Sequence, residues 1–209
     1  MLAVDPGNLF IVTAPSGAGK TSLVRTLVDQ LSNIEISISH TTRQARPGER
    51  NGLDYYFIDQ EKFEHMLQMG SFIEHAKVFN YYYGTEKSQV DARIAAGTDI
   101  VFDIDWQGAD QLKKLFPQAQ TIFIMPPSLD VLKNRLITRN QDHPQVIQYR
   151  MEQVSAELSH YQTFDYVIIN DTFEHASNEL QAIILADRKK ISRQTVKLTK
   201  LLSILSATM

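Results

Sequence analysis

The sequence predicts an α/β fold with a doubly wound, mostly parallel sheet and helices on both faces. A glycine-rich turn at residues 14–19 joins a mostly apolar strand to a helix, and after about residue 86 short apolar runs alternate with amphipathic stretches. Such alternation is typical of parallel sheets, because each return to the sheet needs a crossover, usually a helix. Between about residues 35 and 85 the strands follow one another closely. This spacing predicts an inserted, mainly antiparallel subdomain, here called the insertion.

The first strand and helix flank the glycine-rich turn. Leu9–Thr13 has four apolar residues before its threonine, which suits a strand buried on both faces. Between Lys20 and Leu31, apolar residues recur at helical spacing. Ile34–Ile38 alternates apolar and polar side chains and predicts the next strand, and Ser39–Asn51 is polar and predicts a loop.

The later elements follow from the same periodicities, with short apolar runs predicting strands and longer amphipathic stretches predicting helices. The predicted strands are Tyr55–Ile58, Phe72–Phe79, Asp99–Ile104, Thr121–Met125 and Tyr166–Asn170. The predicted helices are Glu61–Gln68, Gln89–Ala96, Gly108–Leu115, Leu129–Ile137, Gln145–Tyr161 and Phe173–Arg188.

The strongest motif is a P-loop at the glycine-rich turn. It reads Ala14-Pro15-Ser16-Gly17-Ala18-Gly19-Lys20-Thr21. Its glycines let the backbone approach a ligand, and its N–H groups and the helix N-terminus form a cradle for phosphate oxygens. Lys20 adds a full charge, and Thr21 offers a hydroxyl to Mg²⁺. The strict pattern has glycine where this chain has Ala14, but the alternative of a plain turn with a surface lysine does not explain the Lys-Thr pair.

Composition excludes several classes of function. The chain has 209 residues, enough for one α/β domain with inserted subdomains, and its net charge of −3 predicts no nucleic-acid partner. It has no cysteine, which excludes disulfides, cysteine-ligated zinc and thiol catalysis, and which fits a cytoplasmic protein. The start of the chain has no secretory pattern, and no apolar stretch approaches the roughly 20 residues that span a bilayer. No membrane partner is therefore predicted.

A second basic segment predicts a second phosphate site. Arg43 and Arg46 follow a strand, and arginine grips phosphate oxygens in a bidentate manner. A solvated basic loop is the alternative, but a chain that already has a P-loop favours a phosphate-bearing acceptor. Farther along, Glu74, Tyr83 and Thr85 offer a carboxylate, a phenol and a hydroxyl to one pocket.

Several motifs together resemble those of guanylate kinases, the P-loop enzymes that phosphorylate GMP. They are residues 14–21, residues 39–46 with Gly48-Glu49 and Asp54-Tyr55, Phe72-Ile73-Glu74, Tyr82-Tyr83-Gly84-Thr85, and residues 103–108. The resemblance covers roughly residues 8–190 and is closer to the bacterial enzymes. It implies direct in-line transfer of a phosphoryl group from ATP to GMP, and to dGMP, with Mg²⁺ as cofactor.

The resemblance also implies a role for each matching residue. ATP binding falls to Ala14, Pro15, Ser16, Gly17, Ala18, Gly19, Lys20, Thr21, Ser22 and Asn170. The GMP phosphate is bound by Arg43, Arg46, Tyr55 and Tyr83, with Glu49 holding the arginines. Glu74 accepts hydrogen bonds from guanine N1–H and the 2-amino group, and Ser39 and Thr85 face the rest of the guanine edge. AMP would leave that carboxylate unpaired, which predicts strong discrimination.

Two carboxylates follow the strand that ends near Asp103. In a P-loop fold an acidic residue at this place holds the Mg²⁺ shell, often through water, so Thr21 and Asp103 are the predicted metal residues. The alternative for Asp103 is a carboxylate of the strand-end turn. The resemblance also assigns Asp103 and Asp105 to the lining of the GMP site.

Arg135, Arg139 and Arg150 resemble the arginines of the mobile lid of these kinases. For each, the alternative is an exposed helix residue. Thr138 and Asn140 stand where glycines are common, and residues 143–145 replace a more acidic run, so lid flexibility is in question. Catalysis is predicted to fall to Lys20, Arg43 and these three arginines, which offset the repulsion between two phosphate anions.

The predicted division is one kinase-like domain, residues 1–190, and a helical tail, residues 191–209. The domain comprises a core (1–34 and 86–190), the insertion (about 35–85) and a lid (about 135–150). Apolar residues of the tail recur at helical spacing, which fits either packing on the domain or a contact in a homodimer or a higher homo-oligomer. Two other functions stay open: a non-catalytic guanylate-kinase-like interaction domain, which intact Lys20 and Thr21 oppose, and a kinase for another monophosphate, which Glu74 disfavours.

Overall fold

The structure is a computed structural model that describes residues 4–138 and 144–207. Its strands are β1 Leu9–Thr13, β2 Ile34–Ile36, β3 His40–Thr41, β4 Tyr56–Phe57, β5 Phe72–Val78, β6 Tyr81–Glu86, β7 Asp99–Asp103, β8 Gln120–Met125 and β9 Tyr166–Ile169. Its α-helices are α1 Lys20–Gln30, α2 Gln60–Gln68, α3 Asp91–Ala95, α4 Trp106–Leu115, α5 Leu129–Thr138, α6 Pro144–Ser159, α7 Phe173–Asp187 and α8 Thr195–Ala207. The predicted α/β class is confirmed.

A five-stranded sheet in the order β2-β7-β1-β8-β9 forms the centre of the molecule, and all of its strand pairs are parallel. Strand β1 is buried on both faces, because Phe10 and Val12 pack with α1 and α7 while Leu9 and Ile11 pack with residues of α4 and β7. The chain leaves β1 toward one edge and later returns to the other. Ligands of open α/β sheets bind where the strand order reverses, at the carboxyl ends of the strands.

The insertion carries a separate four-stranded sheet in the order β4-β3-β6-β5. Two of its pairs are antiparallel and the β3–β4 pair is parallel, so the sheet is mixed. Its core is aromatic: the ring of Phe63 from α2 stacks on Phe72 at 4.6 Å and on Tyr82 at 5.3 Å between centroids. The prediction of a loop over Ser39–Asn51 is wrong for His40–Thr41, which form β3. Strand β6 was not predicted at all.

Helix α4 begins two residues before the predicted start at Gly108. Asp105 caps this helix, because its Oδ1 accepts a hydrogen bond from the Gly108 backbone N–H at 3.1 Å. An aspartate N-cap satisfies a helix-end donor that would otherwise lack a partner. The cap directs the chain sharply away from the end of β7 and leaves the Asp103–Asp105 segment at the edge of the sheet.

A buried ionic cluster holds the end of the domain. The side chains of Asp99 and Asp187 are each 2% exposed, and Arg193 pairs with both, at 2.7 Å and 2.5 Å. Beyond it, Asp5 accepts a hydrogen bond from the Val196 N–H near the start of α8. The second half of α8 is different, because the side chains of Leu201, Leu202, Ile204 and Leu205 are exposed. That half of the tail therefore does not pack on its own domain.

No α-helix within residues 4–138 and 144–207 combines the length and the apolar character that crossing a membrane requires.

Candidate active site

A cleft of about 1240 Å³ lies between the carboxyl edge of the central sheet, the insertion and α6. Most of the predicted site residues line it. They are Ala14, Pro15, Ser16, Gly17, Gly19, Lys20, Thr21, Ser22, Ser39, Arg46, Glu49, Tyr55, Glu74, Tyr83, Asp103, Asp105, Arg135 and Arg150. Ala18, Arg43, Thr85 and Asn170 are not part of this lining, and Arg43 instead borders a smaller pocket with Thr42 and Phe57. Arg139 falls outside the described residues.

The P-loop has the backbone shape that its glycines allow. Gly17 and Gly19 have φ of 92° and 97°, which side chains other than glycine rarely adopt. A Cβ at Gly19 would overlap the side-chain amide of Asn170. The Nδ2 of that amide donates to the carbonyl oxygen of Ala18 at 2.6 Å. Asn170 thus follows β9 and braces the loop from behind.

Lys20 lies at the floor of the cleft, against the end of β7. Its Nζ is 2.9 Å from Oδ1 of Asp103 and donates to the carbonyl oxygen of Ile104 at 2.6 Å. The parallel pairing of β1 with β7 sets Val12 beside Asp103, so the two strand ends bring the lysine and the carboxylate together. A charged donor and a charged acceptor thus meet where the P-loop begins its helix.

Arg135 and Arg150, two of the three predicted lid arginines, contact the P-loop. Arg135 of α5 donates to the carbonyl oxygens of Ala18 at 3.4 Å and Asn170 at 3.0 Å. Arg150 of α6 is 9% exposed and donates from Nη1 to the hydroxyl of Ser16 at 3.0 Å. The guanidinium of Arg150 also lies 5.3 Å from the ring centroid of Phe79. Neither arginine is therefore simply an exposed helix residue.

Glu74 forms the deepest acidic point of the insertion side. It is 2% exposed, and no group of the described residues hydrogen-bonds to its Oε1. The pKa of its carboxyl group is raised to about 7, chiefly by burial and also by nearby Asp105, while Thr85 and the charge of Lys20 act in the opposite direction. A Cβ at Gly108 would lie 2.5 Å from Oε2 of Glu74, so only glycine leaves room for this carboxylate.

Two hydroxyls lie beside Glu74. The Oγ atoms of Ser39 and Thr85 are 3.0 Å apart and share a hydrogen bond. Both residues are buried, and they come from β6 and the segment that leads into β3. The pocket thus combines one carboxylate acceptor with hydroxyls that can donate or accept, which suits a base edge with several polar groups.

Arg43 and Glu49 form an ion pair in the insertion, separate from the Glu74 pocket. Arg43 Nη2 donates to both carboxylate oxygens of Glu49, at 2.8 Å and 2.9 Å, and Glu49 also accepts the Arg46 N–H at 2.8 Å. Burial would raise the pKa of Glu49, but these hydrogen bonds and the arginine charges hold it below its ordinary value. Burial raises the pKa of the nearby Tyr55 hydroxyl, so this phenol stays a neutral hydrogen-bond donor.

The residues that the structure describes contain no cluster of three or more histidine, cysteine, aspartate or glutamate side chains suited to hold a metal by themselves. Thr21 and Asp103 nevertheless line the cleft close to Lys20: Thr21 follows it in the sequence, and Oδ1 of Asp103 is 2.9 Å from its Nζ. Mg²⁺ is usually held by one or two protein oxygens, with substrate phosphates and water completing its shell. A hydroxyl and a carboxylate beside a phosphate cradle fit that requirement.

Trp106, Glu157 and His160 are among the lining residues that sequence reasoning missed. The rings of Trp106 and His160 stack at 3.7 Å with an angle of 11°, and Glu157 lines the cleft from α6. A signal for Glu157 was present, since it follows Arg150 by seven residues and such residues share a helix face. No signal pointed to the Trp106–His160 pair, because 53 residues separate them along the chain.

Comparisons with known proteins agree with this geometry. The family model for guanylate kinase matches residues 7–187. A curated guanylate kinase of Legionella pneumophila (strain Lens) is 54% identical over 205 residues and covers 98% of both chains. One from Coxiella burnetii is 50% identical over 200 residues, covering 96% of this chain and 97% of its own. The crystal structure of guanylate kinase from Anaplasma phagocytophilum matches with a TM-score of 0.78 and 33% identity, over 91% of this chain and 90% of that one.

Proposed function

This chain belongs to the guanylate kinase family, and from that premise we propose how its cleft carries out the ATP-dependent phosphorylation of GMP. The observation that best supports the proposal is that the P-loop and the Glu74 pocket open into one cleft. A phosphate donor and a purine acceptor can meet there. The comparisons give no support to a non-catalytic interaction domain.

ATP occupies the P-loop side of the cleft in this proposal. Backbone N–H groups of residues 16–21 surround the phosphates, and Lys20 moves its ammonium from Asp103 to the transferring group. Arg135 and Arg150 already contact the loop and add charge at its outer side. Arg139 has the same proposed role, although it lies outside the described residues. Asn170 supports the loop and the adenosine end.

GMP occupies the insertion side. Glu74 accepts the guanine N1–H and 2-amino hydrogens, with Ser39 and Thr85 beside it. Arg43, Arg46, Tyr55 and Tyr83 bind the phosphate, and Glu49 holds the Arg43 guanidinium and the Arg46 backbone. Asp105 borders the nucleotide. None of these groups is assigned to the 2′-hydroxyl, so we propose that dGMP is also accepted.

The chemistry needs positive charge more than it needs a base. The second pKa of a phosphate monoester is near 6, so the GMP phosphate is mostly dianionic at neutral pH and attacks without losing a proton first. The attacking and leaving oxygens lie in line, and the cations of the cleft offset the charge that gathers there. Mg²⁺, held by Thr21 and Asp103, supplies further charge to the donor phosphates when it is bound. Closure of the lid would exclude water and limit ATP hydrolysis.

The proposal also covers the domain division, the oligomeric state and the cellular location. The chain forms one domain, residues 1–190, in which the insertion (about 35–85) and the lid (about 135–150) interrupt a core, and a tail, residues 191–209, follows. The exposed leucines of α8 fit a homodimer contact. A cytoplasmic location fits the chain's composition and the reaction's substrates.

The test is phosphoryl transfer from ATP to a panel of acceptors: GMP, dGMP, AMP, UMP and CMP. We expect ADP formation with GMP and dGMP in the presence of Mg²⁺, and none above background when EDTA removes the metal. Re-addition of Mg²⁺ should restore the rate. A preference for AMP or a pyrimidine nucleotide would contradict the proposed role of Glu74, and EDTA-resistant transfer would contradict the metal assignment.

The affinity for GMP should fall as the solution becomes more acidic. GMP needs the ionised carboxylate of Glu74, whose pKa is raised to about 7. Below that pH the carboxyl holds a proton that opposes the guanine N1–H. From about pH 8 to about pH 6, the KM for GMP should therefore rise about tenfold. The KM for ATP in the same assays is the control. A rise that starts only below about pH 6 would point to the GMP phosphate instead.

A further inference from the structure

Strand β5, which carries Glu74, lies at the edge of the insertion's sheet beside β6. An edge strand presents backbone N–H and C=O groups away from its neighbour, and folded proteins usually cover or block such groups. Here helix α4 of the core covers them, because two glutamine side chains of α4 hydrogen-bond to the backbone of β5. The strand that carries Glu74 is therefore held from the core as well as from the insertion.

Gln111 of α4 binds one residue of β5 twice. Its Oε1 accepts the backbone N–H of His75 at 3.2 Å, and its Nε2 donates to the carbonyl oxygen of the same residue at 2.7 Å. A side-chain amide has an acceptor and two donors, so it can pair with both backbone groups of one residue, as a neighbouring strand would. The same Nε2 donates to the carbonyl oxygen of Gln107 at 3.2 Å, which ties the amide to its own helix.

Gln107 makes a longer contact two residues farther along the strand. Its Nε2 lies 3.3 Å from the carbonyl oxygen of Lys77 and 3.0 Å from Oδ2 of Asp105. Gln107 and Gln111 are four residues apart and therefore share one face of α4. The helix thus runs along the open edge of β5, with the stronger pairing at His75.

Gly108 lies between the two glutamines, at the point where α4 meets Glu74. A Cβ on Gly108 would lie 2.5 Å from Oε2 of Glu74 and 3.1 Å from Cδ1 of Ile104. The carboxylate therefore has little room on this side, and its position depends on the distance between α4 and β5. Glu74 directly precedes His75, so the Gln111 hydrogen bonds set that distance one residue away from the carboxylate.

We propose that Gln111 is a positioning residue for guanine recognition: its amide holds β5 against α4 and so keeps the Glu74 carboxylate where the guanine N1–H and 2-amino group meet it. This inference rests on the proposed function, in which Glu74 accepts those hydrogens. AMP lacks them and gains nothing from the position of the carboxylate. The effect should therefore fall on GMP affinity and on the preference for GMP over AMP, and not on ATP.

Steady-state kinetics of Gln111 variants test this. Gln111→Ala removes both hydrogen bonds to His75 and should raise the KM for GMP about tenfold, with the KM for ATP within about twofold of wild type. Gln111→Met keeps the length of the side chain without its amide and should show the same rise. If the alanine variant fails to fold, the methionine variant carries the test. Gln68→Ala replaces an exposed glutamine at the end of α2, in the insertion, and should change neither constant.

Competition between GMP and AMP shows whether Gln111 acts through Glu74. Gln111→Ala alone should narrow the preference for GMP about tenfold. In a protein that already carries Glu74→Gln, the same replacement should change the product ratio by less than about twofold, because residues that act as one unit are not additive. The full tenfold change in the double variant would show an effect independent of Glu74 and overturn the inference.

The kinetics can overturn it in three further ways. An unchanged KM for GMP in Gln111→Met would show that the hydrogen bonds to His75 do not set GMP affinity. Equal increases in the KM for GMP and the KM for ATP would show a general disturbance of the cleft. A lower melting temperature with both constants unchanged would limit the contact to stability.

The activity of the wild-type protein separates this inference from the proposed function. If wild type phosphorylates GMP and the Gln111 variants match it, the inference fails and the proposed function stands. If wild type transfers nothing to GMP, the proposed function fails, and calorimetric titration with GMP then tests the inference. Gln111→Met must in that case bind GMP more weakly than wild type, and equal binding, or no binding by either protein, overturns the inference.

Discussion

Replacing Lys20 with alanine should lower kcat for phosphoryl transfer to GMP by about a thousandfold. Lys20 is the full charge that the P-loop places at the floor of the cleft, 2.9 Å from Asp103. Its ammonium is proposed to follow the transferring group, so its loss should act mainly on the transition state. Single-turnover kinetics measure this directly, because they separate chemistry from product release.

The control for that experiment is Lys133→Ala, which removes an exposed lysine of α5 and should leave kcat unchanged. The binding of GMP to the Lys20 variant should persist, since the Glu74 pocket does not contain Lys20 as a hydrogen-bond donor. A loss of kcat smaller than about tenfold in Lys20→Ala would contradict the assigned role, because even one preorganised donor at a developing charge contributes more than that.

Replacing Glu74 with glutamine should lower kcat/KM for GMP by about a thousandfold and narrow the preference for GMP over AMP by a larger factor. The glutamine amide presents an N–H₂ group where the carboxylate presents an acceptor, so it opposes the guanine N1–H and favours the bare N1 of adenine. The shape of the side chain is nearly unchanged, and the close approach of Gly108 should therefore be kept.

Competition between GMP and AMP at equal concentration gives the preference directly, as the ratio of the two products. Glu64→Gln, an exposed position on α2 of the same insertion, is the control and should leave the ratio at its wild-type value. Glu74→Gln should also lose the pH dependence of GMP affinity that Glu74 confers. Wild-type discrimination in Glu74→Gln would mean that another group reads the guanine edge.

The middle of the central sheet was predictable because β1, β7 and β8 are almost entirely buried and therefore appear as largely apolar runs. Strand β3 was not, because two residues, His40 and Thr41, are too few to show a periodicity. Strand β6 begins with three tyrosines followed by Gly84, and the glycine favoured an end over a strand. The structure explains that glycine, since a Cβ there would lie 3.0 Å from the ring of Phe72.

The residues of the candidate site were likewise only partly predictable from the sequence. Motifs predicted the P-loop, the arginine loop and Glu74, because each is a local pattern of residue types. The pairing of Lys20 with Asp103 and of Arg150 with Ser16 depends on which strand and helix ends meet, and no local pattern contains that information. Arg135 is a further example: its motif predicts a lid arginine, but no local pattern predicts that its guanidinium donates to the carbonyl oxygens of Ala18 and Asn170.

The Trp106–His160 stack gives this protein a built-in optical probe. The chain contains one tryptophan, and that residue lines the cleft with its indole against an imidazole. Light that excites only indole therefore reports from this one place, so nucleotide entry and cleft closure can be followed as a change in emission from unlabelled protein. A stopped-flow instrument can time those events without an added dye.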